Sequence, residues 1–77
     1  MHVPDDDDWL TDRRRAIGEH IRTTRTHRNM TREALHLAAG VSRWSLQEIE
    51  AGRGNPQLDT LLRIAAVLDV PLADLVR

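Results

Sequence analysis

Few residues in this sequence are of a type that does chemistry, and their spacing decides what is open to them. The histidines are His2, His20, His27 and His36. His20 and His27 stand seven apart, no His-x3-His pair occurs and cysteine is absent, so the spacings that hold zinc are missing. The run Asp5 to Asp8 could loosely attract a hard cation, yet it lacks the turn glycine and spaced ligands of a calcium loop. Ser42 and Ser45 have neither a glycine elbow nor an organised His–Asp partner, which leaves nucleophilic catalysis without support. Gly52 and Gly54 end a helical stretch rather than open one after a strand, unlike a phosphate-cradling loop. The sequence therefore predicts no metal site, no cofactor and no enzyme.

One constellation remains. Arg43, Trp44, Gln47 and Glu48 recur at i, i+1, i+4 and i+5, which places them on one face of a helix. These are long or hydrogen-bonding side chains of the kind that reach base edges in a major groove. An ordinary solvated helix face has the same composition, so the elements around it must decide.

The chain has 77 residues, enough for one domain with one small core. Trp9 and Trp44 are its sole aromatic residues, leaving Leu, Ile, Val and Ala to fill that core. Residues 1–11, with Pro4 and the aspartate run, read as a flexible acidic tail, and residues 12–77 as the domain. A first helix is predicted over 12–28, with Leu10, Ile17 and Ile21 at helical spacing and Asp8 or Asp12 as its cap. Thr31 should cap a second helix over 32–39 that turns Leu35, Ala38 and Ala39 inward, with Met30 as a hydrophobic staple. Ser42 should cap a third over 43–50, burying Leu46 and Ile49. The breakers of 51–56 make a loop, and a fourth helix over 58–68 carries Leu61, Ile64, Ala65 and Leu68 on one stripe. Pro71 can open a last short helix to residue 77. Nothing alternates strictly, so the expected fold is all-α: a compact five-helix bundle around a central helix-turn-helix.

The formal charge of −1 argues at face value against a nucleic-acid partner. Divided along the chain it says otherwise. Residues 1–12 carry five aspartates and no base; residues 13–53 carry nine arginines against four glutamates, a surplus of +5. Neutrality is thus an average over an acidic start and a basic body. The cationic side chains are all arginine, whose planar fork suits phosphate and guanine edges, although the codon usage of a GC-rich genome gives the same choice.

An ordered series spans most of the chain: Ile17-Gly18, Ile21-Arg22, Arg25, Met30-Thr31, Leu35, Ala39-Gly40-Val41-Ser42, Leu46, Ile49-Glu50, Gly52-Arg53, Asn55-Pro56, Leu61, Ile64-Ala65, Leu68 and Leu75. This series resembles the phage-repressor/Cro-type (XRE) helix-turn-helix family over about residues 12–76. The resemblance implies a lambda-repressor-like domain that regulates transcription, a repressor being the expected form. It would insert helix 3 into the major groove of double-stranded, pseudo-palindromic operator DNA as a weak homodimer. It places Arg43 and Trp44 where base edges are contacted and Glu48 one turn further along, with Gln47 joining them as a base-contact candidate from its place on the same face. Arg32 and Ser42 fall at helix starts that meet phosphates, and Arg53 and its neighbours, Asn55 among them, where the loop meets the strand through backbone amides. It also implies a structural ion pair between Arg25 and Glu50.

Four positions depart from the family's habit. His36 stands where a small residue is usual, so its ring must either widen the helix crossing or turn outward toward the DNA backbone. Leu37 replaces a polar residue, Arg32 a common glutamine, and Trp44 a smaller polar residue. The indole of Trp44 can meet thymine methyls or fold against the domain. A second reading uses the same fold as a protein-interaction module, antitoxin-like or polymerase-binding, favoured by Leu37 and the acidic start. Dimerisation would use Ala66, Val67, Val70 and the last helix. No apolar run reaches the roughly 20 residues of a membrane span and no secretory leader is recognisable, so a cytoplasmic, nucleoid-associated location is expected.

Overall fold

The computed structural model describes residues 2–4 and 7–77, so Asp5 and Asp6 of the predicted tail lie outside the described residues. Five helices follow one another: α1 Asp8–His27, α2 Arg32–Ala39, α3 Arg43–Glu50, α4 Leu58–Leu68 and α5 Leu72–Val76. Among the described residues there is no strand.

Helix α1 begins four residues before the predicted start, within the stretch read as a tail. Neither Asp8 nor Asp12 is its cap: the cap position falls to Asp7, whose carboxylate makes no cap hydrogen bond. After Pro4 no residue type in the sequence breaks a helix, and Leu10 is half-buried at helical spacing with Ile17 and Ile21, so the α1 pattern extends backwards past Asp12. The two caps predicted for the helix-turn-helix are made. Thr31 Oγ1 accepts from the Ala34 amide at 3.0 Å, and Ser42 Oγ from the Ser45 amide at 3.0 Å.

The stops share one geometry. Asn29, Gly40, Gly52 and Asp69 all take positive φ, at 57°, 71°, 78° and 57°. The next residue's amide can then turn back five positions, as Met30 does to Arg25 O at 3.0 Å, Val41 to His36 O at 3.0 Å, Arg53 to Glu48 O at 2.8 Å and Val70 to Ala65 O at 3.1 Å. Helices α1 to α4 therefore end abruptly, with late carbonyls satisfied and the chain released at a fixed angle.

The core draws on every helix: Ile21 of α1, Leu35 of α2, Leu46 of α3, Ile64 and Leu68 of α4 and Leu75 of α5 are fully buried. Helix α2 packs on α3 and α4, while α1 packs on α3 and α5. Ala38, predicted inward, is exposed; Leu35 and Ala39, four residues apart, carry the inner stripe of this two-turn helix without it. The α1–α3 crossing depends on Gly18, where a Cβ would lie 2.8 Å from Glu50 O and closer still to Ile49 O. No side chain fits there, so α3 lies directly on the backbone of α1.

Candidate nucleic-acid interface

Helices α2 and α3, joined by Gly40, Val41 and Ser42, present α3 on the surface with its inner side held by Leu46 and Ile49. Arg43, Trp44 and Gln47 project outward, Trp44 with 69% of its surface exposed. The indole thus stands away from the fold. It forms one wall of a groove of about 240 Å³, with Glu48, Ile49 and the loop residues Arg53, Asn55 and Pro56 on the other sides.

Glu48 is placed differently from its three neighbours. Its side chain is only 19% exposed and accepts from Arg53, Nε to Oε2 at 2.7 Å. Both the hydrogen bond and the charge of this carboxylate raise the Arg53 pKa above its already high value. The Arg53 backbone amide, expected to be offered to phosphate, is spent on Glu48 O at 2.8 Å. A helix stop built by Gly52 needs that amide, so any contact by Arg53 must come from its guanidinium.

Of the predicted phosphate group, Ser42 and Arg32 flank the helix starts and Asn55 lies exposed on the loop. The Arg32 guanidinium also leans toward Glu50, Nε to Oε1 at 3.4 Å. Arg43 faces Glu33 across the turn at 3.8 Å, both side chains being well exposed. Such a pair is worth little and readily yields to a stronger partner.

Beneath this surface Arg25 and Glu50 meet as a bidentate pair, Nε to Oε2 at 2.8 Å and the second nitrogen to Oε1 at 3.0 Å. Arg25 donates its third nitrogen to Met30 O at 2.8 Å. One arginine thereby links the end of α1, the entry to α2 and the end of α3. His36 behaves comparably, bonding Val41 O through Nδ1 at 3.1 Å. A carbonyl only accepts, so Nδ1 carries the proton, and the buried Nε2 finds no partner among the described residues. The ring turns into the helix-turn-helix turn, not outward toward a DNA backbone.

Two arginines near the interface escaped the sequence reading. Arg15 lies against Gly52, where a Cβ would come within 2.7 Å of Arg15 Cγ. Arg14 borders a small cavity with Ile49, Arg53, Gly54 and Pro56. The signal was present as the run Arg13-Arg14-Arg15, but only the α1–α3 crossing brings it to the loop after α3. Among the described residues no group of His, Asp or Glu could hold a metal ion, and no helix is long and apolar enough to cross a membrane.

Comparison with known proteins agrees with this architecture. Residues 21–75 match the helix-turn-helix family. The chain is 32% identical over 65 residues to the uncharacterized HTH-type transcriptional regulator y4dJ of Sinorhizobium fredii, covering 84% of each chain. The restriction-modification controller protein C.AhdI from Aeromonas hydrophila superposes with a TM-score of 0.78 at 27% identity, over 80% of this chain and 94% of that one. The hypothetical transcription factor NHTF from Neisseria reaches 0.81 at 25% identity, over 100% of this chain and 84% of its own. With two capped helices around a glycine turn and α3 laid outward, the chain belongs to the helix-turn-helix family of DNA-binding transcriptional regulators, of the phage-repressor/Cro type.

Proposed function

We propose that this protein is a cytoplasmic repressor that reads a pseudo-palindromic operator by placing α3 in the major groove. The observation that carries this reading is the outward strip Arg43, Trp44 and Gln47 on a helix whose start is capped by Ser42 and whose inner side is locked into the core. Arg43 suits a guanine edge, Gln47 an adenine edge, and the Trp44 ring a thymine methyl. Arg32, Ser42, Asn55 and the Arg53 guanidinium frame the strip on both sides, where phosphates set register. Arg14 and Arg15 extend the cationic rim.

One short helix reads few base pairs, so a homodimer serves this role. Apolar surface for it is available along α4, where Leu58, Leu62 and Ala66 are exposed at four-residue spacing. Val67 and Val70, predicted for the same surface, are half-buried against the protein's own core. Leu37, 66% exposed, supports a protein partner as a second reading.

Selection of bound sequences from random duplex DNA, followed by titration over salt, tests the proposal. Enrichment of one motif with two-fold symmetry is expected, with log affinity falling linearly against log salt by about 0.9 per neutralised phosphate. Absence of any enriched motif, or affinity indifferent to salt, overturns it.

A further inference from the structure

The Glu48–Arg53 pair lies at the edge of the reading strip, and its two members are unequally accessible. The Arg53 side chain is 62% exposed and the Glu48 side chain 19%, and the guanidinium bonds both carboxylate oxygens from the solvent side of the pair. The backbone explains the arrangement. The stop at Gly52 folds Arg53 back over the last turn of α3, where its amide bonds Glu48 O and its side chain bonds the Glu48 carboxylate. Glu48 and Arg53 line the same groove beside Trp44, so a base edge that bonds the Glu48 carboxylate competes with the guanidinium already bound there.

We propose that this pair is an exchangeable latch, in which Glu48 is a positioning residue that withholds Arg53 from phosphate until a cytosine is presented. The inference rests on the reading of α3 as a groove-inserted helix. While the pair is closed its net charge is zero, so a contact from the outer Arg53 nitrogen brings no net neutralisation of phosphate. Opening it on an arbitrary sequence would leave a carboxylate without its cation beside the DNA backbone, which opposes release. A cytosine at this position changes the balance, because its N4 amine is a major-groove donor matched to a carboxylate. The amine takes the place of Arg53 on Glu48, and the freed guanidinium contacts the adjacent strand. Base identity and phosphate contact are thereby coupled, and Glu48 discriminates through Arg53 as well as by its own hydrogen bond.

The test follows labelled-duplex anisotropy between 50 and 200 mM salt for the wild type, Glu48→Gln and the double variant Glu48→Gln/Arg53→Gln. One duplex is the selected operator and the other a scrambled sequence. Glutamine keeps an acceptor oxygen for Arg53 and removes the charge, so thermal unfolding should stay near that of the wild type. On scrambled duplex Glu48→Gln should steepen the log–log slope by about 0.9, about a 3.5-fold larger loss of affinity across that salt range. The operator preference should shrink as non-specific binding rises. The double variant is again neutral at this corner and should return the scrambled slope to the wild-type value. An unchanged slope in Glu48→Gln, or a loss of affinity on both duplexes tracking a fall in thermal stability, overturns the latch and leaves the DNA reading standing. Wild-type protein that binds neither duplex overturns both.

Discussion

Replacing Arg25 by alanine strikes the contact on which three helices converge. Glu50 is 5% exposed in its side chain and Arg25 11%, so both charges sit largely out of water. Loss of the guanidinium removes two hydrogen bonds from the Glu50 carboxylate and one from Met30 O. Breaking a buried pair from one side costs about 3–5 kcal/mol, because the remaining charge stays desolvated. Arg32 softens this somewhat: its Nε already lies 3.4 Å from Glu50 Oε1, and an exposed cation of that kind is worth about 0–1 kcal/mol. The net expectation is a loss of about 3 kcal/mol. A domain of this length holds roughly 4–12 kcal/mol in all, and each kcal/mol shifts Tm by about 4–8 °C. Circular dichroism during heating should therefore place the Arg25→Ala midpoint about 12–24 °C below the wild type, and urea unfolding should show the same loss at constant slope. Replacing both partners, Arg25→Met with Glu50→Leu, should recover most of the stability, since the desolvation is removed with the charges. A single-variant cost under about 1 kcal/mol would mean that the pair acts as a surface contact. A double variant as unstable as the two singles added together would equally refute the reasoning.

Gly18→Ala, which stabilises an ordinary helix by up to about 1 kcal/mol, should here lower Tm, because the new Cβ meets Glu50 O at 2.8 Å; the overpacking costs about 1–3 kcal/mol, and a rise in Tm would show that α1 and α3 separate easily. Arg43→Ala should weaken operator binding by about 1–3 kcal/mol and relax one base preference in a repeated selection. Uniform weakening across all sequences would make Arg43 a phosphate contact. Ser42→Ala removes the acceptor for the Ser45 amide and should cost about 0.5–2 kcal/mol in urea unfolding, with Ser42→Gly costing less.

Periodicity and caps carried most of the fold. The starts of α2 and α3 were legible because Thr31 and Ser42 act within three residues of themselves. The start of α1 was not, since Asp7, Asp8 and Asp12 are chemically equivalent caps that the sequence does not rank, and the cap position falls to Asp7 without a side-chain hydrogen bond to mark it. At the site, sequence spacing put Glu48 on the reading face beside Arg43 and Trp44. It could not show that a stop at Gly52 would return Arg53 to cover it, because that contact depends on a backbone turn and not on helical periodicity. His36 was likewise legible as an oddity but not in orientation, which a single carbonyl in the turn decides.

The charge count gains meaning from the same contacts. All four glutamates of residues 13–53 face an arginine: Glu19 faces Arg22, Glu33 faces Arg43, Glu48 faces Arg53 and Glu50 faces Arg25. Assigning one arginine to each glutamate leaves a surplus of five, Arg13, Arg14, Arg15, Arg28 and Arg32, on α1, just beyond its end and at the start of α2, with Arg32 also leaning on Glu50. Helix α3 itself, with Arg43 against Glu48 and Glu50, has a formal charge of −1. On the proposed reading, attraction to phosphate and discrimination among bases would reside on different elements. A helix without net positive charge would then gain little from DNA of arbitrary sequence, and Arg14, Arg15 and Arg32, which lie beside α3 and its loop, would supply the sequence-independent hold. Arg13 bonds Val76 O and Arg28 bonds Asp69 O, away from α3. Replacing Arg14 and Arg15 should accordingly lower affinity for all sequences alike, whereas replacing Arg43 or Gln47 should alter which sequence is preferred.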